Sequence, residues 1–164
     1  MKKTIRYFMI LLLAGLFAAP TVNAQPMRKP IGEKMAAHRV LVKSAFVIHH
    51  AYKKVKENKV YTGNLAKAIA HQKYARKLYR EGKYLRAMHQ SRRARWFAAL
   101  AIEANKGTVS EDMKFSKEDE EKMSKNAPSD EELDKEVQAA MPNEPTKDED
   151  VMGAEPDVDI ADGE

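Results

Sequence analysis

Five histidines, His38, His49, His50, His71 and His89, are the side chains best suited to hold a metal ion or move a proton near neutral pH. A metal site on one helix wants ligands three or four positions apart, or a clear cluster across helices. His38 and His49 share a face but stand about three turns apart, and the consecutive His49 and His50 point in different directions. A cross-helix site joining His49 or His50 to His71 or His89 stays open, while the spacing favours packing or surface histidines. The chain has no cysteine, which removes thiol nucleophiles, thiolate ligands and disulfides together. No glycine-rich phosphate loop, HExxH helix or serine elbow occurs. Between residues 25 and 107 the only carboxylates are Glu33, Glu57, Glu81 and Glu103, too scattered for a paired acid and base. The C-terminal run Asp157-Val158-Asp159-Ile160-Ala161-Asp162-Gly163-Glu164 has a calcium-loop flavour. Its third carboxylate and its glycine come one residue late, and no distant glutamate follows. The expectation is a protein without catalytic machinery and without a cofactor.

Binding chemistry is better represented. Residues 25–107 hold 20 Lys and Arg against four acids, whereas residues 108–164 hold six Lys against 20 acids, within a chain of net charge +5. A basic block followed by an acidic one points to a domain that meets a polyanion, an interaction tail, or both. Lys73, Arg76, Lys77, Arg80 and Lys83 fall on or near one side of one stretch, and Arg86, Arg92, Arg93 and Arg95 cluster beside Trp96 and Phe97 in the next. Arginine and lysine interleaved with aromatics can neutralise phosphates or carboxylates. The candidate binding residues are Lys73, Arg76, Lys77, Arg80, Arg86, Arg92, Arg93 and Arg95, with Trp96 read as core or rim rather than a stacking platform. A solvated cationic face must contend with the self-repulsion of so much like charge. The acidic C-terminal region is the nearest available counter-charge, able to fold back and screen the basic domain.

These residues need helices to place them. From residue 33 to 57, Ala37, Val40, Leu41, Ser44, Val47, Ile48, Ala51 and Val55 recur at steps of three and four, one stripe of an amphipathic helix. A second helix is expected over 65–81, with Asn64 as N-cap and Gly82 as terminator, and a third over 83–105, with Gly107 at its C′ position. Ala87, Ser91, Ala94, Ala98 and Ala101 give the third helix a face that another helix can approach closely. Serine–acid pairs at Ser116 and Ser129 resemble capping boxes and predict short helices at 117–125 and 130–141. The expected fold is all-α: a basic three-helix domain at 33–107, an acidic segment with short helices at 108–141, and an acidic tail at 142–164 without fixed structure. Such a small core makes self-association a reasonable expectation.

Within 68–101, Tyr74, Ala75, Leu78, Gly82, Tyr84, Ala87 and Ala94 resemble one tetratricopeptide repeat, a helical hairpin. Ser91 stands where that family has a large residue, His71 replaces an early aromatic, Ala99 replaces the closing proline, and no second copy follows. The resemblance implies protein or peptide binding without catalysis. An ordinary hairpin with similar packing needs remains the alternative.

The N-terminus adds location. Lys2, Lys3 and Arg6 precede the apolar run Tyr7–Ala19, Pro20 ends it, and Val22-Asn23-Ala24 places small residues before a cut between Ala24 and Gln25. This is the layout of a signal peptide over 1–24, followed by a linker at 25–32. The run is short for a membrane span, and no other apolar run follows. The mature protein is therefore expected outside the cytoplasm, with the bacterial periplasm as first choice. There it would engage an acidic protein segment or another polyanion. Docking onto an envelope complex through apolar helix faces is the competing reading, followed by nucleic acid or metal binding. Contact with a membrane surface and a homo-oligomer are also open.

Overall fold

The computed structural model describes residues 30–114, 116, 117, 121, 124 and 127–160. The signal peptide, the cleavage site, most of the linker and of the expected helix at 117–125, and residues 161–164 lie outside the described residues. Helix α1 runs Pro30–Asn58, α2 Asn64–Arg80, α3 Tyr84–Ala104 and α4 Asp130–Ala140, with single 3-10 turns at Glu111–Met113 and Asp148–Val151. No strand occurs among the described residues, and the architecture is all-α, as the periodicity predicts.

The linker differs at its end. Pro30 opens α1, and Gly32 lies inside it. Proline suits a first helical position because its missing N–H has no partner to lose there.

The helix ends follow from local chemistry. At Gly82 the chain turns left-handed (φ +75°), and Lys83 N–H donates to Leu78 O at 2.9 Å. The end of α3 departs from the expectation for Gly107. The left-handed residue is Lys106 (φ +57°), and Gly107 is the next one, donating to Ile102 O at 2.9 Å. Glycine is needed there for closeness: a Cβ at 107 would lie 2.5 Å from Ile102 Cγ2. The start of α2 also differs. Gly63 (φ +78°), not Asn64, is the N-cap and has no side chain to cap with, while Thr62 Oγ1 accepts from Asn64 N–H at 3.3 Å.

Helix α3 packs on both α1 and α2. Val47, Ile48, Val55, Leu65, Ile69, Phe97 and Ile102 fill one part of the core, and Val40, Leu41, Ala75, Leu78, Tyr79 and Ala87 the other. Between them sits a buried polar node. Ser44 Oγ donates to Ser91 O (3.1 Å), Ser91 Oγ to Gln72 Oε1 (3.0 Å), and Gln72 Nε2 to Leu41 O (2.9 Å). Ser91, which breaks the repeat pattern, thus links α3 to the other two helices. Fully buried polar groups need such partners.

Residues 142–160 differ from the expected structureless tail. They form a strap along the domain. Val158 joins the first part of the core and Ile160 the second, while Tyr52 Oη donates to Met152 O at 3.3 Å. The physical reason is that the strap completes a core the three helices leave open, so a few apolar residues outweigh a disorder-like composition.

Candidate polyanion-binding face

Arg86 and Arg93 are seven residues apart, so they stand two turns apart on one face of α3. Opposite them, α4 carries carboxylates at four-residue spacing, Asp130 with Asp134 and Glu132 with Glu136, which places them on its inner side. Ser129 caps α4 by accepting from Glu132 N–H (3.2 Å), and Leu133 and Val137 bury beneath it. The two rows meet. Arg93 Nε and Nη2 donate to the two oxygens of Asp134 at 2.8 Å each, and its Nη1 donates to Asp130 at 2.8 Å. Arg86 Nε donates to both oxygens of Glu136 (3.1 and 3.0 Å), while Nη2 donates to Glu136 and to Glu132. Arg92 lies 3.7 Å from Asp130. Forked guanidinium–carboxylate contacts of this kind are the strong end of the hydrogen-bond range.

Gln90 joins the two rows, donating from Nε2 to Leu133 O (3.2 Å) and Glu136 Oε2 (3.0 Å). That fixes its carbonyl oxygen toward His71 Nδ1, 2.7 Å away, so Nδ1 carries the hydrogen. Asp134 lies 3.3 Å from the other ring nitrogen. Burial lowers the His71 pKa and outweighs the Gln90 bond and the Asp134 charge, which act to raise it. Burial pushes Asp134 upward, but the hydrogen bonds and charge of Arg93 overcome it and hold the carboxyl below its ordinary range. The Arg86 hydrogen bonds hold Glu136 low in the same way, against burial.

The α2 cations meet the strap. Lys73 Nζ donates to Glu144 (2.8 Å), and Arg76 Nη1 donates to Asp157 O (2.8 Å) and Oδ1 (2.9 Å). Lys83 pairs locally with Glu81 at 2.8 Å. Lys77 and Arg80 are exposed on α2. Arg95 is buried and, with Arg92, Arg93 and Trp96, lines a cavity of about 670 Å³. Trp96 is a rim residue, 49% exposed, edge-on to Phe97 at 5.0 Å, with the Arg93 guanidinium over its ring. The candidate cations therefore form two rows, one facing α4 and one facing the strap, rather than a single face.

One anchor has no counterpart among the sequence candidates. Asp148 is fully buried, and its carboxylate accepts from Thr62 N–H, Gly63 N–H (both 2.8 Å) and Ala66 N–H (2.9 Å). These are amides at the start of α2, where the helix dipole favours an anion. An acid from the far end of the chain thus supplies the cap that the local sequence lacks. Gly63 lets the chain turn there, and a Cβ on it would crowd Thr146 O at 3.3 Å.

The histidines do not converge. His49 has Asp159 3.0 Å from Nε2 and Glu155 3.2 Å from Nδ1, on opposite ring nitrogens, so the three cannot share an ion. His71 is held as described, His38 lies against Tyr79, and His50 is half-buried. Both ring nitrogens of buried His89 lack a hydrogen-bond partner among the described residues. Burial, reinforced by the Arg92 and Arg86 charges, lowers its pKa to about 4. No group of three or more histidine and acidic side chains placed to hold a metal occurs among the described residues.

No helix among the described residues is long and apolar enough to cross a membrane. No family model matches the chain, and no curated protein or solved structure matches it either.

Proposed function

We propose that this is an exported, non-enzymatic interaction protein whose basic α2–α3 surface engages an acidic protein segment or another polyanion. Its own acidic C-terminal region occupies that surface in the closed form. The observation that carries the reading is the match between Arg86 and Arg93 and two carboxylates each on α4. The surface already binds an acidic helix, and a partner would present the same chemistry. Export rests on the signal-peptide layout of residues 1–24. The absence of cysteine and of a phosphate loop, and the scattered acids of residues 25–107, support a non-enzymatic role.

The test uses poly-glutamate as the probe. Replacing Asp130 and Asp134 with Asn and Glu132 and Glu136 with Gln neutralises the internal competitor. This variant should bind the probe more tightly than the parent at low salt, and the gain should disappear as salt screens it. Adding Arg86→Gln and Arg93→Gln should abolish the gain. Equal affinity of parent and variant at low salt refutes the reading.

A further inference from the structure

Among the described residues, the outward face of α1 is largely uncovered, with the strap reaching it at His49. Its buried side carries Val40, Leu41, Ser44, Val47, Ile48, Ala51 and Val55. On the opposite side Met35, Val42 and Phe46 follow one another along the helix and are 60, 45 and 55% exposed. Large apolar side chains exposed singly are ordinary, but three in one row on one helix are not. Arg39, Lys43 and Lys53 accompany the row, all exposed. None of the three has an ion-pair partner among the described residues. Between Met35 and Lys53 the helix carries no carboxylate. α4 and the strap pair with cations of α2 and α3, and the strap acids Glu155 and Asp159 reach α1 at His49, whereas Arg39, Lys43 and Lys53 keep no carboxylate partner among the described residues.

Shape and charge together select the occupant. The row stands on the convex back of a helix, so it suits a flat surface better than the flank of another helix. At its N-terminal end Lys34, Met35, His38, Arg39 and Tyr79 line a shallow depression of about 260 Å³, with two cations at its rim. Apolar side chains that reach the acyl boundary, flanked by Lys and Arg at headgroup level, are how an interfacial helix rests on an anionic bilayer.

We infer that the protein docks on an anionic phospholipid surface through Met35, Val42 and Phe46, with Arg39, Lys43 and Lys53 contacting headgroup phosphates and Lys34 and Arg39 flanking a single headgroup. This goes beyond the polyanion reading and uses none of the α2–α3 arginines, so the two stand or fall separately.

The experiment is co-sedimentation with vesicles of phosphatidylcholine alone or mixed with phosphatidylglycerol. Protein lacking residues 1–24 is used, since the apolar run there would itself bind lipid and every described element begins at Pro30 or later. The parent should bind the anionic vesicles and not the neutral ones. Each cation near an anionic surface contributes about a fivefold factor in binding, so Arg39→Gln with Lys43→Gln should lower it more than tenfold. Val42→Asp with Phe46→Asp should lower it at least as much. These four positions are exposed, and an unchanged circular dichroism melting curve establishes that the variants fold. Any extra vesicle binding by the α4 neutralisation variant belongs to the freed α2–α3 arginines and should vanish with Arg86→Gln and Arg93→Gln, leaving the part lost in the α1 variants unchanged. Failure of the parent to bind anionic vesicles overturns the inference, as does parent-like binding by the α1 variants. Parent binding that falls with Arg86→Gln and Arg93→Gln but not in the α1 variants would transfer the lipid to the α2–α3 surface. If α1 captures an acidic peptide but no vesicle, the face is a protein-docking site and the lipid assignment is wrong.

Discussion

Arg93 holds Asp134 by two parallel hydrogen bonds of 2.8 Å, while its guanidinium rests 4.4 and 4.5 Å from the ring centres of Trp96 and Phe97. The aromatic contacts fix the plane of the fork, and the fork fixes α4. Replacing Arg93 with Ala should release α4 and reduce stability by about 1–3 kcal/mol, a range that allows for the partial exposure of Asp134. Arg93→Lys should rescue little, because an ammonium cannot bond both oxygens in that geometry. Hydrogen exchange of the α4 amides measures the release directly, and unchanged protection would contradict it.

Asp148→Ala should do two things at once. It frees the strap and leaves the amides of Thr62, Gly63 and Ala66 without their acceptor. A lost capping side chain costs about 0.5–2 kcal/mol, and this one is charged and accepts three hydrogen bonds, so about 2–4 kcal/mol is expected. Limited proteolysis should cut first within residues 142–160. A variant that keeps this segment protected would show that the apolar anchors Val158 and Ile160 suffice.

The end of α3 offers paired substitutions of opposite sign. Gly107→Ala places a methyl 2.5 Å from Ile102 Cγ2 and 3.1 Å from Ile102 O, so it should destabilise by about 1–3 kcal/mol. Lys106→Gly relieves a left-handed lysine and should stabilise by up to about 1 kcal/mol. Urea midpoints of the two variants should move in opposite directions.

Stability should depend on pH in two stages. His89 is neutral in the fold, with its pKa lowered from 6.5 to about 4, so the unfolded chain binds its proton first. Stability is then full above about pH 6.5 and declines as pH falls toward 4, by about 2–3 kcal/mol from this residue. His89→Leu should flatten that part of the curve. Asp134 and Glu136 have lowered pKa values, so what they add is present above their unfolded values near 4 and is lost as pH falls further. Denaturation curves across this range test both signs, and a parent more stable at pH 5 than at pH 7 would refute the first.

The helices were legible because local chemistry dictates them. The apolar stripe of α1, Gly82 after α2 and the Ser129 cap of α4 are each readable within a few residues. The register of Arg86 and Arg93 against the carboxylates of α4 was legible only in part. The charges and their spacing are in the sequence, but which acids face which arginines depends on how α4 lies against α3. The strap was not legible. Val158 and Ile160 sit in an acidic, proline-broken segment, and their value comes from a gap in the core more than 85 residues away. Asp148 was hidden for the same reason, since its acceptors' partners lie at 62–66 and nothing near it signals a cap. Asn64 looked like the better cap because side-chain capping is normally local.

The path between α3 and α4, residues 105–129, tethers an acidic helix to the surface that the proposed function gives to a partner. Intramolecular binding of this kind acts as if the competing acid were present at about millimolar concentration. A free peptide with the chemistry of α4 would therefore displace little of it at ordinary concentrations. Only a partner that engages many cations together, or one that first removes the Asp148 anchor, gains access. On the proposed function, the closed form would set a valency threshold, and selectivity would come from how many contacts a partner can make at once.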